Sequence, residues 1–391
     1  MTGDPRLSRW LDRNGAELVE IRRHLHAAPE LGREEHATTD FLAERLDRAG
    51  LVPQLLPTGS GLWVDVGGPA KAGRTVLVRA DIDALPLQDV KDVPYRSQTA
   101  GVCHACGHDV HTSVALGVAL VLSELGPSDC VRVLFQPAEE QMPGGALDVI
   151  EAGVLEPVSC ALALHCDPTL DVGRVGVRAG AITAAADRVE LIVHGPGGHT
   201  SRPQNTVDLV YVLGRLLTEI PSAMGRLVDP RSSMSLVWGQ VTAGTVPNAI
   251  PSLGRARGTL RMLDRDAWHA APELVQRVAE QLAAPYGATV EVNYTRGVPP
   301  VVNSAGVASL LAAATNRELG AEAAVPTLQS LGGEDFAWYL EHVPGAMGRL
   351  GTRTPGGPTY DLHQAAFDVD ERAIGVGVRV LTSAALAALS D

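Results

Sequence analysis

Three short apolar runs in this chain each end in side chains that can bind metals or move protons, and this pattern restricts the fold more than any other feature. Thr75-Val76-Leu77-Val78-Arg79-Ala80 reads as a buried strand that runs into Asp81-Ile82-Asp83. Val131-Arg132-Val133-Leu134-Phe135-Gln136 runs into Pro137-Ala138-Glu139-Glu140, and Ala161-Leu162-Ala163-Leu164 ends in His165. Helical segments lie around and between them. Val114 to Leu125 is apolar nearly all round, as a buried helix should be, and Leu7 to Leu25 and Thr38 to Arg48 read as amphipathic helices. Strands alternating with helices imply a mostly parallel sheet, and open α/β sheets gather their ligands at the C-terminal ends of the strands.

The texture changes from about Thr183. The expected order is strand Arg188 to Val193, a glycine turn Gly195-Pro196-Gly197-Gly198, helix Val207 to Ile220, strands Ser233 to Gln240 and Arg255 to Leu263, helix Ala267 to Ala283, and strand Thr289 to Tyr294. This β-α-β-β-α-β order is ferredoxin-like. Helices near Ala305 to Leu319 and Glu371 to Leu389 then return to the first style. With 391 residues the chain exceeds the roughly 250 to 300 at which single cores stop growing. The expected organisation is therefore α/β, with one domain over 1–182 and 297–391 interrupted by an inserted α+β domain over 183–296.

Between the first two strands lies Cys103-His104-Ala105-Cys106-Gly107-His108-Asp109-Val110-His111. Thiolate and imidazole suit zinc and its first-row neighbours, and Gly107 allows a sharp turn between two ligands. The Cys103-x-x-Cys106 spacing is also that of a redox pair, or of half a structural zinc site. The remaining cysteines, Cys130, Cys160 and Cys166, form no second such pair, which counts against a site of four thiolates. Adjacent carboxylates such as Glu139 and Glu140 can divide labour, one binding metal and the other holding a proton of water.

Composition excludes other classes. The 32 basic and 45 acidic residues give a net charge of −13, which disfavours nucleic acid as a partner. No apolar run approaches the roughly 18 to 20 residues needed to span a bilayer, so no membrane partner is expected. The polar start and five cysteines in so long a chain point to the cytoplasm.

Six motifs, in order, resemble those of the M20 metallopeptidases. They are Arg22-Arg23-His24-Leu25-His26 with Pro29-Glu30-Leu31, Arg79-Ala80-Asp81-Ile82-Asp83-Ala84-Leu85-Pro86, His104-Ala105-Cys106-Gly107-His108-Asp109, Gln136-Pro137-Ala138-Glu139-Glu140, Gly198-His199, and Gly333-Glu334-Asp335-Phe336. Within that family the chain is similar to the N-acyl-amino-acid amidohydrolases, which include hippurate hydrolases and plant auxin-conjugate hydrolases. The similarity extends from about His24 to His363.

The resemblance implies a metallopeptidase catalytic domain carrying a lid or dimerisation domain, and a homodimer formed through the insert. It implies hydrolysis of the amide bond of small-molecule N-acyl amino acids by water activated at two divalent ions. Zinc is expected, with manganese, cobalt and nickel as alternatives. Cys106, His108, Glu140, His165 and His363 would hold the ions, Glu139 would be the general base, and Asp83 would orient a metal-binding imidazole. His199 would donate to the oxyanion, often from the partner subunit, and Asn248 and Arg261 would hold the substrate. Cys103, His104, Asp109 and His111 are left to packing or to support of the ligands. A metallo-carboxypeptidase or dipeptidase of the same fold is the nearest alternative, followed by a redox protein and a non-catalytic binding protein.

Overall fold

The apolar runs become the centre of a sheet. In the computed structural model, which describes residues 3–390, Thr75–Asp81 and Cys130–Gln136 pair in parallel, with Asp81 opposite Gln136. All seven positions of each strand are buried, as in a parallel strand covered on both faces. Val158–Asp171 pairs in parallel on the other side of Thr75–Asp81, and Gly345–Arg353 pairs in parallel with Val158–Asp171. Among the described residues the sheet has eight strands, in the spatial order Gln54–Leu55, Leu62–Gly67, Cys130–Gln136, Thr75–Asp81, Val158–Asp171, Gly345–Arg353, Val175–Val177 and Ala324–Pro326. Antiparallel pairing is confined to its flanks. The α/β class with a largely parallel centre is thus the one expected.

Two of the differences from the sequence reading matter for chemistry. The helix expected from Val114 begins at His108 and runs to Leu125, because Gly107 at φ 90° turns the chain directly into it. The hydroxyls of Thr112 and Ser113 bond back to the carbonyls of His108 and Asp109, so polar residues stay within the helix. The strand expected to end at His165 runs on to Asp171. Its pairing with Thr75–Asp81 stops at Ala163, while pairing with Gly345–Arg353 continues beyond Cys166.

The chain divides into two compact units, and the first comprises residues up to Gly180, Val302–Leu328 and residues from Asp335 onward. Its core joins the sheet to helices Pro5–Ala27, His36–Arg48, His108–Leu125, Ala305–Leu319 and Arg372–Ala388. Asp4 caps the first of these by accepting from the Arg6 amide. The second unit comprises Ala181–Val301 and Gln329–Glu334. Its antiparallel sheet has the order Ser235–Ala243, Leu253–Met262, Ala185–His194, Thr289–Val298, and it packs with helices Leu209–Leu227 and Arg265–Ala283. Asp208 and Asp264 cap these two helices. No helix among the described residues is long and apolar enough to cross a membrane.

Glycines set how closely the helices of the first unit approach. A Cβ on Gly117 would lie 2.6 Å from Val378 Cγ2 and 2.9 Å from Leu18 Cδ1, and one on Gly377 would lie 2.6 Å from Val114 Cγ2. Gly117→Val should therefore destabilise the protein by about 1–3 kcal/mol through overpacking. Gly214, within helix Leu209–Leu227, has nothing within 4 Å of its Cβ position, and Gly214→Ala should add about 0.5–1 kcal/mol. Urea unfolding of both variants checks the contrast, and equal midpoints would contradict the packing argument.

Candidate metal centre

Asp83 ties the strand ends together. Two residues beyond Thr75–Asp81, its Oδ2 accepts the Glu140 amide at 2.9 Å. Its carbonyl oxygen and Oδ1 lie 2.9 and 3.2 Å from His108 Nδ1. A ligating imidazole is normally held in this way through its other nitrogen. His108 stands at the first position of its helix because Gly107 adopts a left-handed conformation, and a Cβ on Gly107 would come within 2.6 Å of Cys166 Sγ. The His363 amide donates to the Ala105 carbonyl at 2.7 Å, which brings the loop before the last helix to Cys106.

Among the described residues five groups of donors result, each with its ligand atoms within 4.8 Å of one another: Cys106, His108 and His165; Cys106, Glu140 and His363; His108, Glu139 and Glu140; Asp81, His108 and His111; and Glu139, Glu334 and Asp335. Cys106 Sγ lies 3.5 Å from His165 Nε2, and His363 Nε2 lies 3.1 Å from Glu140 Oε1. His108 Nε2 faces Glu139 Oε2 at 3.9 Å and Glu140 Oε1 at 4.0 Å. That nitrogen is buried and has no hydrogen-bond partner, an arrangement that costs free energy unless something occupies the space before it. One thiol, three imidazoles and two carboxylates suit a pair of borderline divalent ions, so the residues fit such ions.

The carboxylates around the centre favour positive charge there, and a metal ion would take the place of the proton they hold on His108. Burial depresses the His108 imidazole, but Asp81, the hydrogen bond to Asp83 and the Glu140 charge outweigh it and raise the group to about 10. The hydrogen bond to Glu140 likewise raises His363. Burial, with His111 and Arg349 nearby, holds His165 far below the usual imidazole range, in the neutral form a metal needs. Its Nδ1 donates to the Cys166 carbonyl at 2.8 Å, so Nε2 remains toward Cys106.

Among the other members of the Cys103–His111 run, His111 and Asp109 have visible hydrogen-bond partners. His111 Nδ1 donates to Asp81 Oδ1 at 2.6 Å while its Nε2 accepts the Cys166 amide at 2.8 Å, so both ring nitrogens are engaged. Asp109 accepts from Arg22 Nε and from His26 Nδ1, each at 2.7 Å, within the core. Cys103 packs with Ala105 and Phe367. His104 is buried, and burial pushes its imidazole down to about 4. The sequence reading missed Asp81 as the partner of His111, although its place at a strand end beside Asp83 was a usable signal. It also missed Glu35, which accepts the Ala138 amide at 2.7 Å, and for which only the Glu34-Glu35 pair after Pro29-Glu30-Leu31 gave a hint.

His199, Asn248 and Arg261 belong to the second unit. Gly198–His199 pairs with Ala249–Ile250, His199 opposite Ala249, which brings His199 beside Asn248. His199 is exposed, and its Nδ1 accepts the Ser201 amide at 3.1 Å. Arg261 donates from Nη1 to the Leu331 carbonyl.

Residues 77–387 match the sequence pattern of peptidase family M20/M25/M40. The chain is 36% identical over 378 residues to N-acetylcysteine deacetylase of Bacillus subtilis (strain 168), covering 95% of this chain and 97% of that protein. It is 46% identical over 375 residues to a Rhodococcus jostii (strain RHA1) protein provisionally named glutamate–cysteine ligase 2-3. That match takes in 96% of this chain but 47% of the relative, so this chain spans about half of that protein's length. Among solved structures, a Bacillus subtilis dinuclear metal binding peptidase from the M20 family superimposes with a TM-score of 0.85 at 34% identity, over 97% of this chain and 99% of that one.

The geometry separates the two cysteines of the apparent pair. Cys106→Ser should lower metal content and activity together, whereas Cys103→Ser, in an apolar pocket, should leave both near the parent values and cost about 1–3 kcal/mol of stability at most. Metal analysis of the purified variants checks this, and the reverse result would mean that the wrong thiol has been assigned.

Proposed function

Because this chain belongs to peptidase family M20/M25/M40, we propose that it is a binuclear metal-dependent amidohydrolase that cleaves the amide bond of N-acyl amino acids. The observation that carries this reading is the sharing of Cys106 between two donor groups, with Glu139 left beside His108. Cys106, His108, Glu140, His165 and His363 would hold two divalent ions, with zinc preferred on softness and manganese, cobalt or nickel as alternatives. Such ions lower the pKa of water and polarise an amide carbonyl.

The protein's own groups supply the rest. Glu139 takes a proton from water and returns it to the departing amide nitrogen. Asp83 holds the His108 ring through Nδ1 and the Glu139-Glu140 segment through the Glu140 amide, so one carboxylate aligns a ligand with the loop that carries the base. His199, exposed at the end of its short strand, donates to the developing oxyanion from the partner subunit of a homodimer. Asn248 and Arg261 hold the substrate, and the planar guanidinium of Arg261 suits a free carboxylate. The products are a carboxylate and a free amino acid. The five cysteines are buried and form no disulfides, in keeping with a cytoplasmic setting.

The ligase name of the Rhodococcus relative is not carried over, since about half of that protein lies outside the match. The deacetylase relative favours short acyl groups as the first to test.

Glu139→Gln should retain both ions yet lose roughly 10²- to 10⁴-fold in kcat, the usual range for removal of a general base. Glu140→Ala should instead lower the metal content. Metal analysis beside single-turnover rates distinguishes base from ligand, and identical behaviour of the two variants would refute the division of labour. A screen of the metal-loaded protein against N-acetyl, N-benzoyl, long-chain acyl and indoleacetyl amino acids, with dipeptides alongside, should find its best rates among the N-acyl amino acids. Cleavage of dipeptides alone would replace this reading with a peptidase.

A further inference from the structure

The segment that carries Glu139 and Glu140 leaves its strand through a conformation that L-residues avoid. Ala138 sits at φ 56°, in the left-handed region, where a Cβ crowds the following carbonyl. Pro137 to Glu140 belongs to no helix or strand. The turn is held by particular contacts: Gly145 donates to the Ala138 carbonyl at 3.0 Å, and Asp83 accepts the Glu140 amide at 2.9 Å. The remaining contact is made by Glu35, whose Oε1 accepts the Ala138 amide at 2.7 Å across 103 residues of chain.

Glu35 is costly to keep where it is. It is fully buried, and burial together with the nearby Asp83 raises its carboxyl above the ordinary range. It belongs to none of the donor groups found among the described residues. Its own loop is nonetheless fitted to the turn. A Cβ on Gly32 would lie 3.1 Å from Ala138 Cα, Gln141 Nε2 donates to the Gly32 carbonyl at 2.6 Å, and Arg33 adopts φ 68° two residues before Glu35. The Ala84 amide donates to the Glu30 carbonyl at 2.8 Å, which fastens the same loop beside Asp83.

We propose that Glu35 is a positioning residue for the hydrolysis: by accepting the Ala138 amide it holds Ala138 in the left-handed conformation and so fixes the point from which Glu139 leaves the backbone. This rests on the reading of Glu139 as the base. Glu35 touches neither substrate nor metal in this role, and its effect should appear in kcat, with KM and metal content preserved.

The test compares Glu35→Leu, Glu35→Gln and the double variant Glu35→Leu/Ala138→Gly in the full-length, metal-loaded protein. Leucine removes the acceptor, and kcat should fall roughly 10- to 100-fold, the scale of a misplacement of about 1 Å, while KM and metal content hold. Glutamine keeps an oxygen at the same place and should restore most of that loss. Glycine adopts positive φ freely, so Ala138→Gly in the leucine background should recover about tenfold in kcat. Parent-like turnover in Glu35→Leu overturns the proposal, as does a loss that neither glutamine nor the glycine substitution relieves. Should Glu35→Leu not fold, Glu35→Gln still decides: a drop beyond about tenfold with full metal content overturns the acceptor role. The φ of Ala138 in crystals of Glu35→Leu gives a readout without substrate. A turn to negative φ supports the clamp and an unchanged φ overturns it, whereas an active Glu139→Gln would remove the base assignment alone.

Discussion

The parallel register of Thr75–Asp81 against its two neighbours is the constraint on which the site depends. With Asp81 opposite Gln136, Asp83 and Glu140 leave the sheet at the same end, and the Glu140 amide can reach Asp83 Oδ2. On the other side pairing ends with Arg79 opposite Ala163, while Val158–Asp171 continues against Gly345–Arg353. His165 and Cys166 thus have a strand neighbour on one side. The Cys166 amide bonds to His111 Nε2 and its carbonyl accepts from His165 Nδ1. A register slip of one residue would turn the side chains of the slipped strand to the opposite face and move its terminal carboxylates out of reach of their partners.

Charge balance explains the supporting residues. Asp81 is fully buried, and burial alone would raise its carboxyl, yet His108, Arg79 and His111 hold it well below the usual range. Arg79 is itself buried and spans Asp81, Asp335 and Gln136 at 2.7, 2.7 and 2.8 Å. Asp109 is compensated in the same way by Arg22 and His26. Removing one member of such a pair leaves an uncompensated buried charge, which costs about 3–5 kcal/mol. Glu139 and Glu140 stand in a different setting, 3.9 and 4.0 Å from His108, with His363 3.1 Å from Glu140.

What was legible in the sequence was what local pattern encodes. Strand runs such as Thr75–Asp81 show as continuous apolar stretches, and the βαββαβ order of the second unit shows as alternating periods. The gathering of the Cys103–His111 run with Glu139, Glu140 and His165 could be anticipated because each lies at or near a strand end or a glycine turn, whereas the choice of Cys106 and His108 within the run came from the family resemblance. The start of the helix at His108 could not, because polar residues mask its first turn and only the φ of Gly107 reveals it. Nor could the contact of Glu35 with Ala138 or of Asp81 with His111, since each joins loops far apart in the chain and neither residue type has a local preference that announces the pairing.

The Cys103–His111 run shows how one dense stretch is divided by helical geometry. Residues three and four apart share a helix face. His108, His111 and Thr112 therefore turn together toward the Thr75–Asp83 segment: His108 to Asp83, His111 to Asp81 Oδ1, and the Thr112 hydroxyl to the Asp81 carbonyl at 3.1 Å. Asp109, one position on from His108, meets Arg22 and His26, themselves four apart on helix Pro5–Ala27. The same turn of helix thus presents His108 to the donor groups on one side and is anchored to a neighbouring helix on the other. Arg22 and His26 are then explained without any part in the chemistry: they fix, through Asp109, the rotation of the helix that carries His108.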